Sequence, residues 1–129
     1  MRPPALEAWH ALVAARDPAA LEALLAEDAV FHSPVVHAPQ AGRPLVARYL
    51  GAALEVLGRG DFRYVREIVG VQDAVLEFEV ELDGIVVNGV DLLRWDEAGR
   101  IVDFKVMLRP MRAIEYVRQA MAARLAPAR

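Results

Sequence analysis

The chain changes its hydrophobic rhythm once, near residue 61, from a helical repeat to a strand repeat. Before that point apolar side chains return every third or fourth position. Leu6, Trp9, Leu12 and Val13 share one face of a helix predicted over 5–15, with Glu7, His10 and Arg16 elsewhere around the wheel. Asp17-Pro18 reads as a restart, because aspartate accepts the free N–H groups of a helix start and proline is preset for its first position. Leu21, Leu24 and Leu25 form the face of a short second helix expected to end near Glu27-Asp28. Residues 29–33 read as a short strand stopped by Pro34, and 35–41 as a loop. Gly42 and Pro44 introduce a third helix with Val46, Tyr49, Leu50, Ala53, Leu54 and Leu57 on its buried face, and Gly58 and Gly60 end it.

From Asp61 onward the period is two. Segments 62–69, 74–82, Ile85–Trp95 and 100–109 read as four successive strands. Asp83-Gly84 is a strong two-residue hairpin signal, since both positions tolerate positive φ, and Asp96-Glu97-Ala98-Gly99 suits a turn closed by a left-handed glycine. Links this short make consecutive strands antiparallel neighbours. Pro110 opens a last helix with Met111, Ile114, Val117, Met121 and Leu125 as its stripe, and the final Ala-Pro-Ala-Arg is expected to fray. The implied fold is α+β, one domain over 1–129, with 110–126 as a C-terminal helical extension of a curved antiparallel sheet wrapped around the N-terminal helices.

Alternation assigns faces within that sheet. Leu76, Phe78, Val80 and Leu82 share one side of their strand, and Glu77, Glu79 and Glu81 the other, where Arg63 and Arg66 can pair with them. In the next strand Ile85, Val87, Gly89, Asp91, Leu93 and Trp95 lie opposite Val86, Asn88, Val90, Leu92 and Arg94, so both faces are largely apolar. Val102, Phe104, Val106 and Leu108 form the inner face of the last strand. With helices on the concave side, the apolar convex side is expected to meet a second copy of the protein in a homodimer.

Composition narrows the function classes. Apolar residues make up 56% of 129, enough for a real core. A net charge of −3, with fourteen arginines scattered rather than massed, argues against nucleic acid. No uninterrupted apolar stretch is long enough to span a membrane, and Met1-Arg2-Pro3-Pro4 runs into a segment broken by Glu7 and His10 rather than into a secretory signal. Cytoplasm is the expected compartment. The chain has no cysteine, and no two histidines stand at metal-ligand spacing; neither a nucleotide loop nor a nucleophile elbow occurs. No cofactor and no metal are expected.

Three segments, 8–34 (AWHALVAARDPAALEALLAEDAVFHSP), 42–50 (GRPLVARYL) and 89–106 (GVDLLRWDEAGRIVDFKV), resemble the nuclear transport factor 2-like superfamily in its SnoaL-like and ketosteroid isomerase-like branch. The resemblance covers roughly 5–109 and implies a cone-shaped α+β barrel enclosing an apolar pocket. It implies that Asp91 matches the oxyanion acid of the isomerases, which hold a carboxylic acid neutral to donate a hydrogen bond. Their general-base aspartate is replaced by Ser33, and their first-helix tyrosine by Trp9. Serine has no carboxylate to take a proton from carbon, so ketosteroid isomerisation in its known form is not expected. The Arg-Asp arrangement of the epoxide hydrolases fails too, since Val106 stands where their last carboxylate would be.

Asp91 is therefore the candidate catalytic residue: an aspartate among Val87, Gly89 and Leu93 must be bonded or held protonated. A structural aspartate bonded to the Trp9 N–H or to backbone is the alternative. Trp9, Val13, Ser33, Tyr49, Ala53, Val87, Gly89, Phe104 and Val106 are the expected pocket lining. His32 alternates with Ser33 and should point outward if Ser33 points in, His37 lies in a loop, and His10 should sit near the surface. Two functions stay open: an isomerase, cyclase or hydratase acting on a small apolar molecule through Asp91, or a non-catalytic module that binds such a molecule or a partner.

Overall fold

The computed structural model describes residues 2–126; the fraying expected at the C-terminus falls, except for Ala126, outside them. Helix α1 (Pro4–Ala15) buries Leu6, Trp9 and Leu12 and ends where Arg16 turns into the left-handed region. Asp17 then accepts the Ala19 N–H and starts a single 3-10 turn, Pro18–Ala20, which runs into the one-turn helix α2 (Leu21–Leu24). The chain becomes extended earlier than its leucine spacing predicts. Strand β1 (Leu25–His32) begins at Leu25, which is fully buried in the sheet rather than on a helix face. A four-residue helix has too few internal bonds to hold against sheet pairing.

A two-residue strand, β2 (Gln40–Ala41), pairs with β1 where a loop was expected. Helix α3 (Arg43–Leu57) follows, with Val46, Leu50, Ala53 and Leu57 buried and Tyr49 and Leu54 only partly so. Strands β3 (Arg63–Val69), β4 (Asp73–Leu82), β5 (Ile85–Trp95) and β6 (Ile101–Arg109) form the predicted meander. Asp83 and Gly84 have φ of 50° and 79°, as their hairpin requires, and Gly99 has φ of 80° with Asp96 accepting the Ala98 and Arg100 N–H groups.

The six strands form one open sheet in the order β2-β1-β6-β5-β4-β3. The sheet is mixed, because β1 lies parallel to β6, which corrects the purely antiparallel expectation. A long crossover separates these two strands, so no short link forces them antiparallel. Two irregularities re-aim side chains. Between Tyr64 and Arg66 the pairing with β4 slips by one residue, so Tyr64 shares the inner face with Phe78 while Arg66 pairs with Glu77 outside. At the end of β5 a second slip pairs Trp95 with Ile101, so Ile101 is buried and Val102 is displaced from the inner face predicted for it.

The inner face of β4 and β5, the apolar sides of α1 and α3, and α4 (Met111–Leu125) make one core. Helix α4 buries Ala113, Val117 and Met121, whereas Met111 is exposed; Ala113 takes the place expected of it. The helix is tied to its own chain by Arg48 donating to the Leu125 carbonyl (2.8 Å) and by the Tyr116 hydroxyl donating to Asp83 (2.6 Å). On the opposite side of the sheet, Arg63 pairs with Glu79 at 2.9 Å and Arg66 with Glu77 at 3.1 Å, as alternation predicts.

Candidate functional site

A cavity of about 330 Å³ opens between the C-terminal ends of α1 and α3 and the inner face of the sheet. Its volume is at the small end of the range for ligand sites, and its wall is mostly apolar. Trp9 and Val13 come from α1, Leu50, Ala53, Leu54 and Leu57 from α3, and Phe78, Phe104 and Val106 from the sheet. The aromatic side is built from neighbouring rings, with Trp9 and Phe104 centroids 4.7 Å apart and Phe62 and Phe78 5.1 Å apart.

Asp91 projects into this cavity from β5, between Leu76 on β4 and Val106 on β6. It is 5% exposed and is the sole buried charged or polar residue among the described residues. Its partner is Tyr64, whose hydroxyl donates to Asp91 Oδ2 at 2.6 Å and accepts from Trp9 Nε1 at 3.0 Å. The three side chains thus form a relay in which Trp9 supports the tyrosine and the tyrosine holds the carboxylate. The direct Trp9–Asp91 bond considered above is replaced by this bridged one. Tyr64 has a single proton and gives it to Asp91, so the second carboxylate oxygen, with no partner among the described residues, is left for the cavity.

Burial opposes charge here and pushes the Asp91 carboxyl up to about 7, against the smaller opposing effect of the Tyr64 hydrogen bond. Near neutral pH the group is therefore shared between an acid that donates and a carboxylate that accepts. Tyr64 itself is raised well above its ordinary value, by burial first and then by the neighbouring Asp91 charge, and stays a neutral donor. Behind it, the His10 ring meets Tyr64 edge-on at 5.3 Å and bonds Glu67 at 2.6 Å. His10 is thus half-buried rather than superficial. Burial tends to raise Glu67, but hydrogen bonds from Arg2 and His10 outweigh it and hold its carboxyl low.

Trp9, Val13, Ala53, Asp91, Phe104 and Val106 line the cavity. Four other expected residues do not. Ser33 lies past the end of β1, accepts the Val35 N–H at 3.1 Å and borders a separate polar depression with His32, His37 and Lys105. Tyr49, one turn before Ala53 on α3, is partly buried against the core and does not reach the cavity. Val87 is wholly buried in packing. At Gly89 a Cβ would lie 2.5 Å from the Phe78 ring and 2.8 Å from the Met107 carbonyl oxygen, so Gly89 makes room for a ring rather than for a ligand. His32 does point outward, bonded to Asp103 at 3.0 Å, and His37 is exposed. No three His, Asp or Glu side chains among the described residues are grouped to hold a metal ion.

Tyr64 escaped the sequence reading. It stands in a segment of mixed polarity, 63–69, where the bulge breaks the alternation that would have marked its face. The signal present was the aromatic hydroxyl itself, two strands from a buried acid that needs a donor.

The SnoaL-like domain model matches residues 6–104. The chain belongs to this family. This SnoaL-like protein is 41% identical to a steroid delta-isomerase from Pseudomonas aeruginosa of known crystal structure, with a TM-score of 0.88 over 94% of this chain and 88% of that one. It is 36% identical to an uncharacterized protein with a cystatin-like fold from Silicibacter pomeroyi DSS-3, with a TM-score of 0.86 over 94% and 84%. A protein from Catenulispora acidiphila with a ketosteroid isomerase-like fold, solved with trimethylamine, shares the fold at 17% identity, with a TM-score of 0.65 over 88% and 91%. No relative of curated function matches the SnoaL-like chain.

Proposed function

We propose that this SnoaL-like protein binds a small, largely apolar molecule through a carbonyl or hydroxyl oxygen placed against Asp91, and that Asp91 acts on it as hydrogen-bond donor and acid/base. One observation carries this reading: the Asp91 carboxylate at the inner cavity wall is buried, bonded on one oxygen by Tyr64, and without a partner on the other among the described residues. The isomerase-type contact, Asp91 donating to a carbonyl oxygen as negative charge develops on it, fits a group poised near neutral pH. The name borne by the Pseudomonas aeruginosa relative supports the same class. A second reading, binding without turnover, is favoured by the absence of a second carboxylate or imidazole beside Asp91 among the described lining residues. We also propose a homodimer through the convex sheet face, where Val86 is 58% and Met107 52% exposed beside half-buried Val90 and Leu92.

The test pairs binding with turnover. Small phenols and cyclic enones are titrated into wild type and Asp91→Leu, with the conversion of β,γ- to α,β-enones followed by ultraviolet absorbance. Loss of the oxygen contact is expected to weaken binding about tenfold. Equal affinity in the two proteins overturns the site; binding without conversion selects the second reading.

A further inference from the structure

The polar groups of the cavity are divided between its two ends. Asp91, Tyr64 and Trp9 form one, and Arg16, Glu55, Arg59 and Arg124 form the rim. These four rim residues are exposed, and three of the four are cations on a chain whose net charge is −3. Arg124 and Glu55 neutralise one another at 3.3 Å. Arg16 and Arg59 are left over. Among the described residues neither has a carboxylate within 4.0 Å; Arg16 donates to the Gly60 carbonyl at 3.3 Å and Arg59 to the Tyr116 hydroxyl at 3.3 Å, which in turn donates to Asp83. Both bonds are long and each engages one Nη2, so the remaining guanidinium donors are free for a further acceptor.

These two arginines come from different elements and converge on one opening. Arg16 caps the C-terminal end of α1, and Arg59 follows the end of α3 by two residues. Cations at helix C-termini offset the negative end of the helix dipole, which accounts for a basic residue at either place. It does not account for both of them facing the mouth of an apolar cavity whose other end already holds an oxygen-binding group.

We propose that the natural ligand is an amphipathic anion: an apolar body in the cavity, a carbonyl or hydroxyl oxygen at Asp91, and a carboxylate or comparable oxyanion at the rim, held by Arg16 and Arg59. This rests on the binding reading above and adds the charged end of the ligand to it. Guanidinium groups bind planar oxyanions in pairs of hydrogen bonds, and at a solvent-facing rim such contacts add selectivity and encounter rate more than raw affinity. The apolar wall between the two ends excludes a ligand that is charged throughout, and the rim favours an anion over a neutral molecule of the same shape.

The probes are ω-(4-hydroxyphenyl)alkanoates of two to eight carbons and their primary amides, titrated by calorimetry into wild type, Arg16→Gln, Arg59→Gln, the double variant and Asp91→Leu. For wild type at low salt, at least one acid is expected to bind about five- to tenfold more tightly than its amide, an advantage that shrinks as sodium chloride rises. Each Arg→Gln change should reduce that ratio and the double variant should abolish it, with amide affinity unchanged. Asp91→Leu should weaken acid and amide alike. The proposal is overturned if no acid gains over its amide, or if the arginine variants weaken both equally, which marks a structural role. Acid selectivity that persists while Asp91→Leu changes nothing keeps the rim and refutes the Asp91 reading instead. A wild type that binds neither series refutes both.

Discussion

Replacing Asp91 with asparagine isolates the cost of keeping that carboxyl in the fold. Its ordinary value is 3.8 and its value in the structure about 7. Between these pH values the folded protein holds a proton that the unfolded chain has released, so stability falls as pH rises through the window, by about 1.4 kcal/mol per pH unit. The loss is absent below about pH 4 and complete above about pH 7, and amounts to about 4 kcal/mol in all. Between pH 5 and pH 7 wild type should therefore lose about 2 kcal/mol from this group alone. Asparagine keeps an oxygen to accept the Tyr64 hydroxyl and has no proton to give up. The variant should lie closest to wild type at low pH and exceed it by a growing margin from pH 5 to pH 8. Urea unfolding followed by circular dichroism at pH 5, 6, 7 and 8 measures both proteins. Glu67 and Glu115, whose carboxyls are held low, are common to both proteins and cancel in the comparison. A wild-type-minus-variant difference that is the same at pH 5 and pH 8 refutes the reasoning.

The relay makes a second prediction. Tyr64→Phe removes the donor that lowers Asp91 and leaves the Trp9 N–H without its acceptor, so the Asp91 carboxyl should titrate higher still and stability at pH 7 should fall by about 1–3 kcal/mol; carbon-13 carboxyl titration and urea unfolding read the two effects. Gly89→Ala should destabilise by about 1–3 kcal/mol through crowding of Phe78, Leu108 and the Met107 carbonyl, seen as a lowered Tm. Leu92→Glu, on the convex face, should convert the proposed dimer to a monomer in light scattering; a wild type that is already monomeric rejects that interface.

Much of this protein could be read from alternation alone. The meander, the Asp83-Gly84 hairpin and the inward face carrying Asp91 follow from period-two patterning and turn chemistry, which act locally and leave a local mark. The parallel pairing of β1 with β6 depends on residues about 70 positions apart, and nothing near Leu25 or Ile101 records it. Both bulges shift a face by one residue, which is invisible in a pattern that assumes strict alternation. The pocket residues on regular stretches of α1, α3 and β6 were legible for the same reason. Ser33 lies outside the cavity because its expected place depended on where a strand ends, and Tyr49 because its face of α3 meets the cavity only one turn further along, at Ala53. Tyr64 was hidden because its role exists only once a bulge carries it toward a carboxylate on another strand.

The matched domain stops at residue 104, whereas Arg124, which closes the rim against Glu55, stands on α4 beyond it. One of the four rim residues thus comes from outside the stretch that carries Asp91, Tyr64 and Trp9, and the other three from within it. A substitution confined to α4 can therefore change the charge at the rim without touching the Asp91–Tyr64–Trp9 relay.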